Sequence, residues 1–373
     1  MYQLIDRVSL RVAALLIGII LCFPWQLSGL LTQTSKLAVA AVFLTYGIMP
    51  MVIRFAWKVG ALDMPNARRV HSQPTPRIGG LAVLLSVNLT LFFNFDYSLE
   101  LKGVCISAMI VALLSFWDDL RELSAAIKLA GQLFALGVLM ASGVYVHFPT
   151  DAWWGLPLGY FTTALWVIGI TNAFNFLDGI NGLSSSLAAT VCTLMGLLAW
   201  HTDQPYMLML CLSLAGASLG FLPDNARYKQ PARSFLGDVG STYLGWMMAA
   251  IAVMGDWSSE GVLKAYSAPL LIFSVMIFDM IYTTIARVGR GDVKNFRDWI
   301  GFVGRDHLHH RLMELGCSSA QTVIVIVGLA LLMGLAALAI VKGTIFAVWL
   351  LLAQAVVFYL LLSFLMLRQV ERD

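Results

Sequence analysis

The residues best equipped for chemistry are carboxylates placed beside glycine, asparagine and basic side chains where apolar runs end. Asp118-Asp119 follows directly on Phe116-Trp117 at the close of one such run. Two adjacent carboxylates at a membrane boundary repel each other and are costly unless a cation or basic partner neutralises them. Their oxygens suit Mg2+, which takes one or two protein carboxylates and leaves other positions for phosphate oxygens. Lys128 lies where the next helix begins and can meet the same phosphates; the plainer alternative is a solvated helix cap. In Phe235-Leu-Gly237-Asp238-Val-Gly240-Ser241, a carboxylate for metal stands with backbone N–H groups and the positive end of a helix dipole. Phe235 offers a ring that can stack on a base, and Asn225 precedes it after another apolar run.

Three further segments carry unusual polar groups. Asn172, Asn175, Asp178 and Asn181 recur every third residue and form a drifting polar stripe down a short helical stretch. Such groups leaving an apolar span are costly without partners, and Gly179 and Gly182 allow backbone to approach a ligand. Arg305-Asp306-His307-Leu308-His309-His310-Arg311 places three histidines within four residues. Adjacent His309 and His310 diverge on a helix, and no cysteine or well-spaced carboxylate completes a tetrahedral zinc site. With Arg305 and Arg311 alongside, an anion-binding cluster is the better reading. Asp279, inside an apolar run about two turns ahead of Arg287, is a functional candidate because intramembrane aspartate is expensive. Between Asp63 and Gly80, three prolines stiffen a segment in which Arg68, Arg69, Arg77 and His71 offer charge-assisted contacts to phosphate; a basic loop of no further function reads equally well.

The elements that hold these groups are membrane helices. Hydrophobic residues make up 59% of the 373, charged residues 12%, and the mean hydropathy is +0.81, which excludes an ordinary soluble domain. A net charge of +3 gives no case for nucleic acid. The five cysteines lack metal-ligand spacing and read as small hydrophobes. The start, with Arg7 and Arg11 ahead of an apolar run, has the charge of a signal peptide but no small-residue cleavage site, so an anchor helix is expected. Apolar stretches at 12–31, 37–57, 79–95, 103–117, 125–146, 157–176, 183–200, 206–222, 239–254, 265–286, 322–341 and 344–367 are each near the length a bilayer requires. The expected fold is therefore an all-α polytopic membrane domain of about 11–12 transmembrane helices. Within residues 1–373, helices at 1–57 precede a catalytic core at 58–315 with five loops, and helices at 322–373 follow. With the N-terminus inside, 20 of the 24 lysines and arginines fall on or beside inner loops, leaving only Lys36, Lys102, Lys264 and Lys342 outside. That asymmetry sets the orientation and puts all five chemical segments, at 58–78, 118–128, 172–182, 223–241 and 287–321, on the cytoplasmic face.

With these segments in hand, the chain resembles the polyprenyl-phosphate N-acetylhexosamine-1-phosphate transferases. The resemblance spans residues 58–315 and rests on Asp63-x-Pro65 with Arg68 and His71, Pro76-Arg77-x-Gly79-Gly80, Asp118-Asp119 with Lys128, Asn172 to Leu183, Phe235-x-Gly237-Asp238-x-Gly240-Ser241 and His307-x-His309-His310. It implies Asp118, Asp119 and Asp238 as catalytic carboxylates that bind or organise Mg2+, with Mn2+ as a substitute. Asn172, Asn175 and Asp178 then serve the nucleotide and sugar-phosphate site, Phe235 the base, and the three histidines the diphosphate. Arg68, His71, Arg77, Lys128, Asn181, Asn225, Asp279, Arg305 and Arg311 complete the expected substrate contacts. The His-x-His-His spacing is similar to the N-acetylglucosamine branch, whereas the related phospho-MurNAc-pentapeptide translocases, the alternative, carry three consecutive histidines.

The implied reaction is attack by undecaprenyl phosphate on the sugar-bearing phosphorus of a UDP-N-acetylhexosamine. It releases UMP and starts a cell-surface glycan such as O-antigen at the bacterial inner membrane. Asp118 can be a base, a nucleophile or a metal partner. A phosphate monoester with a second pKa of about 6 has little proton to give up near neutrality, which favours the metal role. Asn181 departs from the aspartate many relatives carry, and the N-terminus has one span more than the branch usually has. A homodimer stays open. A twelve-helix transporter is the rival from another class, but no repeat of halves is visible and the carboxylates sit at one membrane face.

Overall fold

The structure is a computed structural model and describes residues 2–23, 29–65, 73–94, 96–258, 260–295, 298, 302 and 304–370. It is built of helices: α1 (Tyr2–Cys22), α2 (Leu30–Val59), α3 (Gly80–Asn94), α4 (Leu99–Leu120), α5 (Ala125–Ala141), α6 (Gly155–Leu177), α7 (Leu183–His201), α8 (Pro205–Asn225), α9 (Gly237–Met254), α10 (Val262–Ile272), α11 (Ser274–Arg290), α12 (Leu308–Glu314), α13 (Ser319–Lys342) and α14 (Ile345–Val370). The described strands are β1 (Leu62–Asp63) and β2 (Thr75–Pro76), an antiparallel pair with Leu62 opposite Pro76. The chain is an all-α polytopic membrane protein. Among the described residues, six helices are long and apolar enough to cross a bilayer: α2, α4, α7, α8, α13 and α14. The α10–α11 pair makes a seventh if its halves form one span, and Ser9–Cys22, α3 and α5 are shorter apolar helices.

Three expected spans are corrected. The first apolar helix runs over Tyr2–Cys22 rather than 12–31, ending two residues ahead of Pro24, and α2 starts at Leu30 instead of 37. Hydropathy alone does not register the break that proline imposes. The stretch expected at 265–286 is not one rod: α10 and α11 meet at Phe273 with a bend of 73°. Asp279, Thr283 and Arg287 recur every fourth residue along α11 and are all buried, so the bent half carries a polar stripe into the protein.

Helix α9 is the axis of the bundle. α4 and α6 pack against it, α2 and α7 flank α8, and α13 lies on α7 and α10. Every residue of α9 from Val239 to Ala252 is buried, and its polar side chains have partners, as buried groups require. Trp246 Nε1 donates to Ser107 Oγ at 2.9 Å, and Asn88 Nδ2 donates to Tyr243 Oη at 3.1 Å. Helices in lipid associate through close packing of small residues. At Gly80 a methyl group would collide with the Gly240 backbone, so α3 and α9 cross main chain against main chain. The outward faces present Phe134, Phe161, Leu165, Ile285, Ile324 and Leu360, all exposed, the apolar surface expected against acyl chains.

Candidate active site

The site lies at the end of the bundle where the basic residues collect. Its first half is organised by Asp119. At the last turn of α4 this carboxylate accepts from the Asp238 and Val239 backbone N–H groups at 3.3 and 3.0 Å, and from Arg77 Nε at 3.0 Å. It thus caps the N-terminus of α9, where a negative charge meets unpaired N–H groups and the positive dipole end. The 76–80 and 234–236 segments run alongside each other. Phe235 N donates to Pro76 O, Gly79 N to Phe235 O and Gly80 N to Leu236 O, at 2.8–3.0 Å. Gly237 turns the chain there with φ of +72°, where a Cβ would strike Arg77 O; only glycine fits.

Asp238 emerges from this turn beside Asp118. Lys128, from the first turn of α5, pairs with Asp118 Oδ2 and lies 3.4 Å from Asp238 Oδ2. One ammonium therefore bridges two carboxylates carried by different helices. Leu123 N donates to Asp118 Oδ1 at 2.7 Å, and Asn175 Nδ2 reaches Asp238 Oδ1 at 3.2 Å and Ser241 Oγ at 2.8 Å. Asp118 is buried, but the side chains of Lys128 and Asp238 are 41% and 30% exposed, so a ligand from solvent reaches this pair. Asp178 follows α6 as its C-cap and is partly buried. Burial, with the charge of Asp238 adding, pushes its carboxyl up to about 7.

The second half is built around His307, the N-cap residue of α12. Asp279, fully buried on α11, lies 2.7 Å from His307 Nδ1 and accepts from Leu308 N at 2.6 Å. Arg287 Nη2 is 3.2 Å from His307 Nε2 and forms a two-pronged pair with Asp306, through Nε at 2.8 Å and Nη2 at 2.7 Å. Arg290 adds a third bond to Asp306 at 2.9 Å. The His307 ring stacks on Phe176, centroids 5.1 Å apart. His309 is buried with both ring nitrogens lacking a hydrogen-bond partner among the described residues. Desolvation, with His310 and His307 contributing, holds it well below the ordinary histidine range. A methyl group on Gly179 would collide with its Nε2. The short run 175–179 thus joins both halves: Asn175 touches Asp238, Phe176 covers His307, and Gly179 makes room for His309.

Two predictions arise here. Asp279→Ala leaves two buried donors unsatisfied, each at a cost of about 1–3 kcal/mol; the denaturation midpoint in detergent falls, and less so for Asp279→Asn, which still accepts from Leu308 N. The second concerns pH. Burial opposes ionisation of Asp306, but the Arg287 and Arg290 guanidinium groups outweigh it and hold the carboxyl at about 2, below its ordinary 3.8. Because the folded value is the lower one, the stabilisation, about 2 kcal/mol, is present above pH 4 and is lost as pH falls towards 2. Hydrogen exchange of the 304–308 amides across that window reads the loss, and Asp306→Asn flattens it.

Comparison with known proteins decides the family. The glycosyl transferase family 4 model matches residues 101–256. A Bacillus subtilis protein named as a probable undecaprenyl-phosphate N-acetylglucosaminyl 1-phosphate transferase is 32% identical over 308 residues, 80% of this chain and 82% of its own. The decaprenyl-phosphate N-acetylglucosaminephosphotransferase of Mycobacterium tuberculosis is 30% identical over 344 residues, 83% of each chain. The undecaprenyl-phosphate alpha-N-acetylglucosaminyl 1-phosphate transferase of Salmonella typhi is 28% identical over 309 residues, 80% of this chain and 81% of that one. This chain belongs to the polyprenyl-phosphate N-acetylhexosamine-1-phosphate transferases.

Within this transferase, several residues expected to touch substrate or metal bond to the protein itself. Both Asp119 oxygens are engaged by Arg77 and α9, whereas Asp118 and Asp238 converge on Lys128. Asn172 forms a double amide pair with Gln132, at 3.0 and 3.3 Å. Asn225 accepts from Gly182 N at 2.6 Å and donates to Ser234 O at 3.0 Å, which ties two loops together. Arg311 pairs with Glu314, Arg305 is exposed, and His310 is partly buried against His309. Among the described residues the partly buried Asn181 side chain makes no hydrogen bond, and the Phe235 ring is half-buried. Arg68 and His71 lie outside the described residues. Sequence reasoning missed Gln132, Phe176, Ser241 and the Arg287–Asp306 pair as parts of the site. Gln132 had a signal, a lone amide one turn after Lys128 in an apolar run; Arg287 and Asp306 lie 19 positions apart, a spacing with no local pattern.

Proposed function

We propose that the chain transfers N-acetylglucosamine 1-phosphate from UDP-N-acetylglucosamine to undecaprenyl phosphate at the cytoplasmic face of the bacterial inner membrane, the first step of a cell-surface glycan such as O-antigen. The observation that carries this is the solvent-reachable Asp118–Lys128–Asp238 cluster, facing a histidine and arginine cluster across 175–179. The relatives' names supply the sugar and the lipid phosphate.

A lipid phosphate oxygen attacks the sugar-bearing phosphorus; the bond from that phosphorus to the oxygen of UMP breaks, and UMP leaves with the electron pair. Such transfer depends on in-line positioning and charge neutralisation. Two carboxylates converging on one cation match the donor set Mg2+ takes. Asp118 and Asp238 would hold it, and it would offset phosphate charge. Among the described residues no group of three or more His, Cys, Asp or Glu side chains forms a metal cage. Lys128 supplies a mobile positive charge beside the reacting phosphates. His307, held by Asp279 at Nδ1 and by Arg287 at Nε2, fixes the start of α12 on the other side, and His309 would offer a ring nitrogen to a phosphate oxygen or sugar hydroxyl.

The test incubates purified protein with Mg2+, undecaprenyl phosphate and a panel of UDP-sugars. UMP release coupled to a lipid-linked sugar, fastest with UDP-N-acetylglucosamine, is the expected result. No UMP with any donor, or flux of a solute across vesicles without UMP, overturns the reading.

A further inference from the structure

The transferase chemistry leaves one buried charge pair unused. Arg11, on α1, meets Asp224 at the last turn of α8 through two parallel bonds, Nη1 to Oδ2 at 2.9 Å and Nη2 to Oδ1 at 2.7 Å. Both residues are buried, Asp224 completely. The guanidinium also lies 4.4 Å over the Tyr46 ring and donates to Tyr46 O at 3.3 Å. α1 is closely seated: Gly18 faces the Leu44 backbone and Gly47 the Leu15 backbone, each with no room for a methyl group.

The far side of the pair leads to the site. Arg233 returns to the same aspartate, its backbone N–H donating to Asp224 O at 2.8 Å and its Nη1 lying 3.3 Å from Oδ1. The next residue, Asn225, fastens Gly182 N on one side and Ser234 O on the other. Ser234 Oγ donates to Pro76 O, and two residues beyond Phe235 the chain turns at Gly237 to present Asp238. Asp224 is thus the point where the start and the end of the 224–234 loop are gathered, and Arg11 is what holds that point from outside the catalytic core.

We infer that Arg11 is a positioning residue: through Asp224, the N-terminal helix fixes the loop that delivers Asp238 and pins Gly182. This rests on the transferase reading, and it gives the N-terminal helix α1 a purpose in turnover beyond anchoring. A displacement of about 1 Å far from the reacting atoms can cost up to about 100-fold in rate.

The test must separate positioning from folding. Removing one member strands a buried charge, whereas replacing a buried pair with apolar residues of similar size is often neutral for stability. Arg11→Met/Asp224→Leu is therefore the informative variant, with Arg11→Lys as the conservative one. In the double variant kcat for UMP release is expected to fall about 10–100-fold with the melting temperature kept, and amide exchange across 225–236 to quicken while α13 is unaffected. Arg11→Lys, which retains one bond to Asp224, recovers most of kcat. An unchanged kcat, or a loss that tracks a falling melting temperature and spreads to α13, overturns the inference. If the parent protein releases no UMP the transferase reading fails by itself, and the exchange experiment still decides: unaltered exchange at 225–236 shows that Arg11 does not hold the loop.

Discussion

Asp238→Asn is expected to lower transfer by about 10²–10³-fold while the protein stays folded. The backbone of this residue is secured independently of its side chain: its N–H is held by Asp119, and the preceding turn by the bonds of Gly79 and Gly80 to Phe235 and Leu236. Asparagine keeps the shape and can still accept from Asn175 through its carbonyl oxygen. What it loses is the second negative charge facing Lys128, and with it one of two convergent oxygens for a cation. The change therefore isolates electrostatics. UMP release by purified protein, with a thermal melt alongside, measures it; a variant within a fewfold of the parent would remove Asp238 from the reacting centre.

Chelation should have the larger effect still. The open cluster holds two carboxylates and one ammonium, a net charge of minus one where two phosphate-bearing substrates must meet. Like charges a few ångströms apart repel by about 4 kcal/mol at the effective dielectric of a protein surface. Lys128 alone does not offset them. Stripping divalent ions with EDTA is expected to abolish transfer, and Mg2+ to restore it, with Mn2+ as a partial substitute. Activity that persists through exhaustive chelation would show that basic side chains suffice.

The helical membrane architecture and the residues of the Asp118–Asp238 cluster were readable in the sequence because both follow from composition and local spacing: apolar length sets a span, and a carboxylate beside glycine at a helix start has few cheap explanations. What the sequence does not disclose is which of several equivalent side chains faces which neighbour. Asp118 and Asp119 are adjacent and chemically identical, yet one meets Lys128 and the other caps α9; that choice is made by helix rotation and by where α9 docks. Asn172 and Asn175 are one turn apart, and only the second reaches Asp238, because Gln132 claims the first. Arg11 was legible as a basic residue at the start of an apolar helix, but its partner lies 213 positions away, a separation no local pattern reports.

The crossing of α3 and α9 at Gly80 and Gly240 has a consequence for how freely this sequence can vary. Since no side chain stands between the two helices there, no rotamer can adjust to take up an added atom, and the whole carboxylate-bearing turn would be displaced with its helix. The lipid-facing exterior can be repainted with almost any oily residue, whereas these two positions admit a single amino acid.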